Sequence, residues 1–465
     1  MHAHPSPLTV EVCVTSPGTS PERRREVRRV MASSYIGTTI EFYDFLLYGT
    51  AAAVVFNQLF FTDLDPLAGT LASFSTLAVG YLARPLGGIV FGHFGDRIGR
   101  KSMLVTTMSI MGLASFLIGL LPTYEAIGLW APVLLVALRV IQGIAVGGEW
   151  GGAALMTLEH AEPDRRGFAA SFSNMGGPSG AVLATAVFGL FSLLPEDAFL
   201  SWGWRIPFLF SVVLILIGYY VRRKVEESPV FNEIAERKKQ TQMPIVALFR
   251  KHALLVLVAA LVFAGNNAVG YMTTGGYIQR YSTDPDGPVA LDQAAVLWAV
   301  AGSAVTWLVF TWLAGWLSDR IGRRRTYLIG WILQLVGVIT LFPLVNTGNI
   351  GLLFLGLAIL TVGLGFTYGP QGALYSELFS ASIRFSGVSI SYAIGAIIGG
   401  AFAPTIAQAL VQATGSTTSV TWYLAGMTVL GLIATLLLRD RSGIPLGPDH
   451  EAEQAASPIH GVSRA

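Results

Sequence analysis

A chain of 465 residues that is 53% hydrophobic and 12% charged, with a mean hydropathy of +0.59, is not composed like a soluble domain, in which about a quarter of residues carry charge. The formal net charge of +2 hides a strong segregation of basic residues into short turns, which argues against nucleic acid as a partner. A single cysteine, Cys13, excludes an intramolecular disulfide and is assigned no role.

Residues 1–30 form a polar tail, Pro/Ser-rich and then basic at Arg23, Arg24, Arg25, Arg28 and Arg29. No apolar run precedes small residues there, so the tail does not read as a cleavable leader, and the first span is expected to direct insertion. Apolar stretches of bilayer-spanning length, about 20 residues, then recur at roughly 31–60, 68–92, 102–121, 128–158, 168–194 and 204–222. A second set follows at 252–281, 291–316, 326–345, 350–377, 385–412 and 420–438. The prediction is an all-α integral membrane protein of twelve transmembrane helices in two six-helix bundles, 31–222 and 252–438. Between them, 223–251 reads as a linker. Ser228-Pro229 is a helix-start signal there, and Val230, Ile234 and the charged run Glu236-Arg237-Lys238-Lys239 suggest a short amphipathic helix on the membrane surface. The final segment, 439–465, has no heptads and is expected to be disordered.

Basic residues orient the spans. All but Arg84, Arg139, Arg205 and Arg280 fall on the side of the N-terminus, whereas the opposite loops carry Asp63, Asp65, Asp284 and Asp286 among turn formers. The positive-inside rule then places both termini in the cytoplasm. Two turns on that side are nearly identical: Gly92-His93-Phe94-Gly95-Asp96-Arg97-Ile98-Gly99-Arg100-Lys101, and half a chain later Gly315-Trp316-Leu317-Ser318-Asp319-Arg320-Ile321-Gly322-Arg323-Arg324-Arg325. Glu159 with Arg166 and Glu377 with Arg384 repeat at equal spacing on the same side. The duplication predicts a lock on the cytoplasmic face. Glycines let helix ends approach, Asp96 and Asp319 engage basic groups or helix N-termini across the bundle, and each Glu–Arg pair braces the layer. The plainer alternative is that these charges only fix topology.

Charges inside spans point to the pathway. A cation at the bilayer centre costs about 2.5–3.5 kcal/mol on insertion scales, so Arg84 and Arg139 should face the interior. Arg139, Gln142, Glu149 and Trp150 share one arc of their helix at about 100° per residue. Glu41 and Asp44, at i and i+3 with Tyr48, supply carboxylates, either of which could hold a proton; a fixed ion pair with the arginines is the alternative. In the second half, Asn267, Tyr271 and Thr274 share one stripe and Tyr368, Gln371 and Tyr375 another. These neutral groups can meet a ligand's oxygens or simply satisfy one another. No nucleophile–base pair and no metal-ligand cluster stands out, so neither an enzyme nor a cofactor is expected.

The duplicated turn resembles the signature between helices 2 and 3, and 8 and 9, of the major facilitator superfamily. Arg139-Val140-Ile141-Gln142-Gly143-Ile144-Ala145-Val146-Gly147 resembles its helix-4 motif, whose arginine is associated with proton coupling. Four further strings are similar to the metabolite:proton symporter family: Ile40-Glu41-Phe42-Tyr43-Asp44-Phe45, Ala83-Arg84-Pro85-Leu86-Gly87-Gly88, Gly147-Gly148-Glu149-Trp150-Gly151-Gly152 and Trp202-Gly203-Trp204-Arg205-Ile206-Pro207-Phe208. The first half is most similar to shikimate transporters. The resemblance implies a bacterial inner-membrane protein, working as a monomer, that imports a small carboxylated metabolite (shikimate or a di- or tricarboxylate) with a proton by alternating access. It also implies a proton-coupling role for Arg139, with which Glu41, Asp44 and Glu149 are expected to act from their places in the spans. Binding would fall to Arg84, Arg139, Gln142, Trp150, Asn267, Tyr271, Tyr368 and Gln371. The gate would be Gly92, Asp96, Arg97, Gly99, Arg100, Lys101, Glu159, Arg166, Gly315, Asp319, Arg320, Gly322, Arg323, Arg324, Glu377 and Arg384. Uptake of a zwitterionic osmolyte such as proline or betaine is the alternative. A proton/drug antiporter fits less well, because Gly177-Pro178-Ser179-Gly180-Ala181-Val182 lacks the final glycines of the G-P-x-x-G-G motif. A non-transporting membrane sensor would need a signalling domain that the tails are too short to form.

Overall fold

The computed structural model describes residues 21–98, 100–147, 149–223, 244–273, 276–454 and 456–460. The first half comprises α1 (Pro21–Val54), α2 (Pro66–Ile98), α3 (Arg100–Leu120), α4 (Trp130–Val146) continued by α5 (Glu149–His160), α6 (Arg166–Phe191) and α7 (Ser211–Arg223). The second half comprises α8 (Pro244–Thr273), α9 (Tyr277–Thr283), α10 (Gln293–Ile321), α11 (Arg323–Val345) and α12 (Ile350–Tyr368) with its extension α13 (Gln371–Leu378). It closes with α14 (Arg384–Ala396), α15 (Ala403–Thr414) and α16 (Thr418–Leu437). Pairing repeats between the halves: α1 packs along α6 and α2 along α4, as α8 packs along α14 and α10 along α12.

Ten helical stretches among the described residues are long and apolar enough to cross a membrane, against the twelve expected. The other two expected spans fall on α1 and α6. Helix α1 opens on an arginine cluster and carries Glu41 and Asp44, while α6 is rich in glycine, Ser171, Ser173 and Asn174. Both are inner helices. Helix α6 lies against α1 in its own half and α10 in the other, so its small polar face meets protein. Leucine-rich faces point the other way: Leu82, Leu86 and Ile89 on α2, and Ile332, Val336 and Ile339 on α11, are all exposed. Arg84, on the same helix as the first stripe, is only 5% exposed and turned inward. Pro85 follows it and removes one backbone donor from α2.

Close approach of α2 and α4 brings the buried arginines together. A Cβ on Gly143 would lie 2.1 Å from the Gly80 carbonyl oxygen, and one on Gly147 would lie 1.9 Å from that of Arg84. Neither gap can be widened without separating the helices. Gly143→Ala is therefore expected to cost about 1–3 kcal/mol by overpacking, read as a lower Tm in detergent. An unchanged Tm would contradict this helix contact.

Two domain expectations are revised. Helix α8 already begins at Pro244, inside the expected linker, and kinks at His252 (φ −130°, ψ 20°); the expected surface helix from Ser228 lies outside the described residues. The tail 439–465 is not disordered over its described part. The described residues 439–454 and 456–460 fold back on the bundle, with Arg439 N–H donating to the Pro458 carbonyl (2.8 Å) and His460 N–H to that of Leu437 (2.9 Å). The order comes from side-chain bonds to the loops above it, which a search for heptads does not register.

Candidate functional site

A cavity lies between the halves. Helix α1 contributes Glu41, Phe42, Phe45 and Leu46, and α2 contributes Tyr81 and Arg84. The second half supplies Phe263, Asn266, Asn267, Gly270 and Tyr271 from α8, Trp307 from α10, Tyr368 from α12 and Tyr392 from α14. The Arg84 guanidinium lies over the Tyr81 ring (4.1 Å) and the Phe45 ring (4.6 Å), which stabilises a cation removed from water. Tyr392 stands close to both Arg84 and Glu41, its ring stacked on Phe263 at 4.2 Å. Two buried donors, Arg84 Nε and Trp307 Nε1, have no hydrogen-bond partner among the described residues. A wall with one cation, one carboxylate, carboxamides and aromatic faces can hold a small polar anion.

Of the expected binding residues, Arg84, Asn267, Tyr271 and Tyr368 meet at this cavity. Arg139, Gln142 and Gln371 are buried but do not line it. The side chains of Glu149 and Trp150, and residue Thr274, lie outside the described residues. Asn266, Trp307 and Tyr392 were missed, because an amide or ring in an apolar helix carries no period that separates lining from core.

Arg139 sits one layer behind the wall. Its guanidinium lies 4.2 Å from the rings of both Phe45 and Tyr48, and Phe45 is the cavity residue between. Arg139 Nη1 donates to Gln142 Oε1 (3.1 Å), and Gln142 Nε2 donates to Ser115 Oγ (2.8 Å). Ser115 and Ser211 both hydrogen-bond the Asp44 carboxylate. A chain of polar groups, Arg139–Gln142–Ser115–Asp44–Ser211, thus crosses the first half through α4, α3, α1 and α7. Glu41 and Asp44, the two candidate proton carriers, have different surroundings. Three residues of helix advance turn Glu41 toward the cavity and Asp44 toward α3 and α7.

At the end of the bundle that carries the duplicated turns, the halves lock together. The Asp319 carboxylate accepts from two backbone amides at the start of α6, Gly167 N–H (2.7 Å) and Phe168 N–H (2.8 Å). That is an anion on a helix N-terminus of the opposite half. Arg323 bridges Asp319 (2.6 Å) and Glu377 (3.2 Å), with Arg323 1% and Glu377 2% exposed. A Cβ on Gly167 would meet Ser318 Oγ at 2.1 Å, and one on Gly315 would meet Ser171 Cβ at 2.3 Å, so only glycines allow this contact. Glu377, expected to brace Arg384, takes Arg323 instead. Arg384 donates to the carbonyls of Ser376 (2.9 Å), Phe379 (3.2 Å) and Leu446 (2.9 Å). Arg320 stacks over Trp316 at 3.5 Å, Arg324 Nη2 donates to the Leu436 carbonyl, and Gly322 (φ 92°) turns the chain between α10 and α11. Lys101 Nζ reaches the Arg223 carbonyl (2.9 Å). Side chains 92–100, including Asp96, Arg97 and Arg100, and that of Glu159 lie outside the described residues. At the far end, α9 packs on α1, with Gly276 (φ 101°) against the Gly49 carbonyl.

Known proteins resemble this chain in sequence and in fold. The sequence profile of the Major Facilitator Superfamily matches residues 35–384 and, overlapping, 287–463. The inner membrane metabolite transport protein YhjE of Escherichia coli K12 is 43% identical over 421 residues, covering 89% of this chain and 94% of that protein. The shikimate transporter of the same organism is 40% identical over 422 residues, covering 89% and 94%. Among solved structures, the proton:xylose symporter XylE bound to 6-bromo-6-deoxy-D-glucose superposes with a TM-score of 0.74 at 16% identity, covering 93% of this chain and 99% of that one. With two similar helical halves closed around a central cavity and these matches along nearly its whole length, the chain belongs to the major facilitator superfamily, as a secondary transporter of the bacterial inner membrane grouped with metabolite transporters.

Proposed function

We propose that this transporter imports a small carboxylated metabolite together with a proton, by alternating access of twelve spans whose termini both face the cytoplasm. The observation that carries the reading is Arg84, a buried guanidinium lining the cavity between the halves, with an Nε donor that has no partner among the described residues. Guanidinium and carboxylate match as a planar, charge-assisted pair. Arg84 would hold the carboxylate, Trp307 Nε1 and Tyr392 would meet its other oxygens, and Asn266 and Asn267 would face hydroxyls. The likeness to the shikimate transporter supports that substrate class. Asp44 is the proton carrier in this reading. It is buried at 0% exposure, is linked through Ser115 and Gln142 to Arg139, and lies apart from the substrate. Protonation of Asp44 would change the pull on Arg139, whose position sets that of Phe45 in the cavity wall.

One observation favours a second substrate, a zwitterionic osmolyte. Phe42, Tyr271, Trp307 and Tyr368 present rings to the cavity, and such rings attract a quaternary ammonium. Competition in proteoliposomes separates the two. With an imposed inward proton gradient, shikimate, citrate and dicarboxylates should compete for one uptake site, and betaine should not. Uptake of betaine alone would move the assignment to the osmolyte class.

A further inference from the structure

The tail that returns to the bundle is built around one amide. Gln454, 3% exposed, uses its full hydrogen-bonding capacity. Its Oε1 accepts from Ala381 N–H (2.7 Å) and Arg384 Nη2 (3.1 Å), while its Nε2 donates to the carbonyls of Pro445 and Gly447 (2.8 Å each). A buried amide with both donors and both acceptor positions filled specifies one conformation. Arg441 closes the same fold from the other side, donating to the carbonyls of Leu378 (3.4 Å), Glu453 (3.0 Å) and Gln454 (2.9 Å). Gly443 N–H points at Glu377 Oε1 (3.4 Å), and Ser442 Oγ accepts from Arg323 N–H (3.2 Å). All of these anchors belong to the second half.

One contact leaves that half. Arg166, the first residue of α6 and 5% exposed, donates from Nη1 to the Ile444 carbonyl at 2.5 Å. Because Ile444 lies in the stretch that Gln454 and Arg441 pin to the second half, this bond joins the two halves. It lies beside the Asp319 contact with Gly167 and Phe168. Any motion that opens this end must break both.

We propose that segment 439–454 is a latch across the cytoplasmic end of the pathway, and that Gln454 is the positioning residue that holds Ile444 where Arg166 can reach it. The proposal rests on the alternating-access reading and adds a third element to the gate. It makes the tail a control point: whatever releases Gln454 or Arg441 raises the fraction of protein open to the cytoplasm.

The test uses the full chain with Cys13→Ser and spin labels on Arg165→Cys and Arg325→Cys, exposed positions flanking the gate in opposite halves. Pulsed electron resonance then gives the distance distribution between them. In the parent a short distance should dominate. Gln454→Ala and Arg441→Ala should each raise the long-distance fraction, about tenfold for a loss of 1.4 kcal/mol. Gln454→Glu, which keeps both acceptors but not the donors, should fall between. A tail that merely stabilises the fold would lower Tm and leave the distances alone. Unchanged distributions in both alanine variants overturn the latch. The readout needs no substrate, so it stands apart from whether a carboxylate is carried.

Discussion

Arg84→Ala is expected to reduce substrate uptake by about two orders of magnitude while the protein still folds and inserts. Losing a charged hydrogen bond from a buried site costs about 1.5–3 kcal/mol, or about 10- to 100-fold in kcat/KM. Arg84 also anchors the cation–ring stack with Tyr81 and Phe45, so the loss should lie at the upper end. Arg84→Lys should recover little, because an ammonium has neither the planar fork nor the stacking face. The comparison is Arg280→Ala. Arg280 pairs with Asp284 at 3.2 Å at the far end of the bundle, with 18% and 31% of the two side chains exposed, and such pairs contribute little. Uptake in that variant should stay within about twofold of the parent. Near-normal initial rates in Arg84→Ala, measured with radiolabelled shikimate in proteoliposomes, would remove Arg84 from the binding site.

Asp319→Asn should open the end of the bundle that carries the duplicated turns. The carboxylate accepts two backbone N–H groups of α6 through different oxygens and also receives Arg323. An amide offers one acceptor oxygen and would turn an NH2 group toward a backbone donor. It also removes the charge that favours the positive end of α6. A shift of about 1.5–3 kcal/mol against the closed state follows, which is about 10- to 100-fold in the ratio of closed to open protein. The reporter is a cysteine at Ala170, 1% exposed and packed with Leu158 of its own half and Ala373 of the other. In a Cys13→Ser background its maleimide labelling rate should rise by at least tenfold in Asp319→Asn. An unchanged rate would show that the Asp319 contact does not hold the end shut.

Much of the architecture was legible because a bilayer imposes a crude rule: runs of about 20 apolar residues cross it and charges do not. The same rule made Arg84 and Arg139 conspicuous. It marks α1 and α6 less sharply, because these helices pack against protein and so need not be leucine-rich. It could not separate lining from core, since Tyr392 and Trp307 read like any packed ring and Gln371 like any lining amide. Glu41 and Asp44 could not be told apart as proton carriers because they are three residues apart on one helix. The helix turns them to different neighbours, and only the packing of α3 and α7 decides which neighbours those are. The tail escaped because Gln454 and Arg441 bond to backbone carbonyls, and such contacts leave no repeat in the sequence.

The central claim is that a proton taken up inside the first half moves with the substrate held by Arg84. It is tested most directly by trapping a pH-sensitive dye inside proteoliposomes with no imposed gradient and adding shikimate outside. The account predicts acidification of the lumen in step with uptake, and its loss in Asp44→Asn, which should still exchange shikimate across the membrane. Full-rate shikimate accumulation with no change in lumenal pH, in the parent protein, would contradict it.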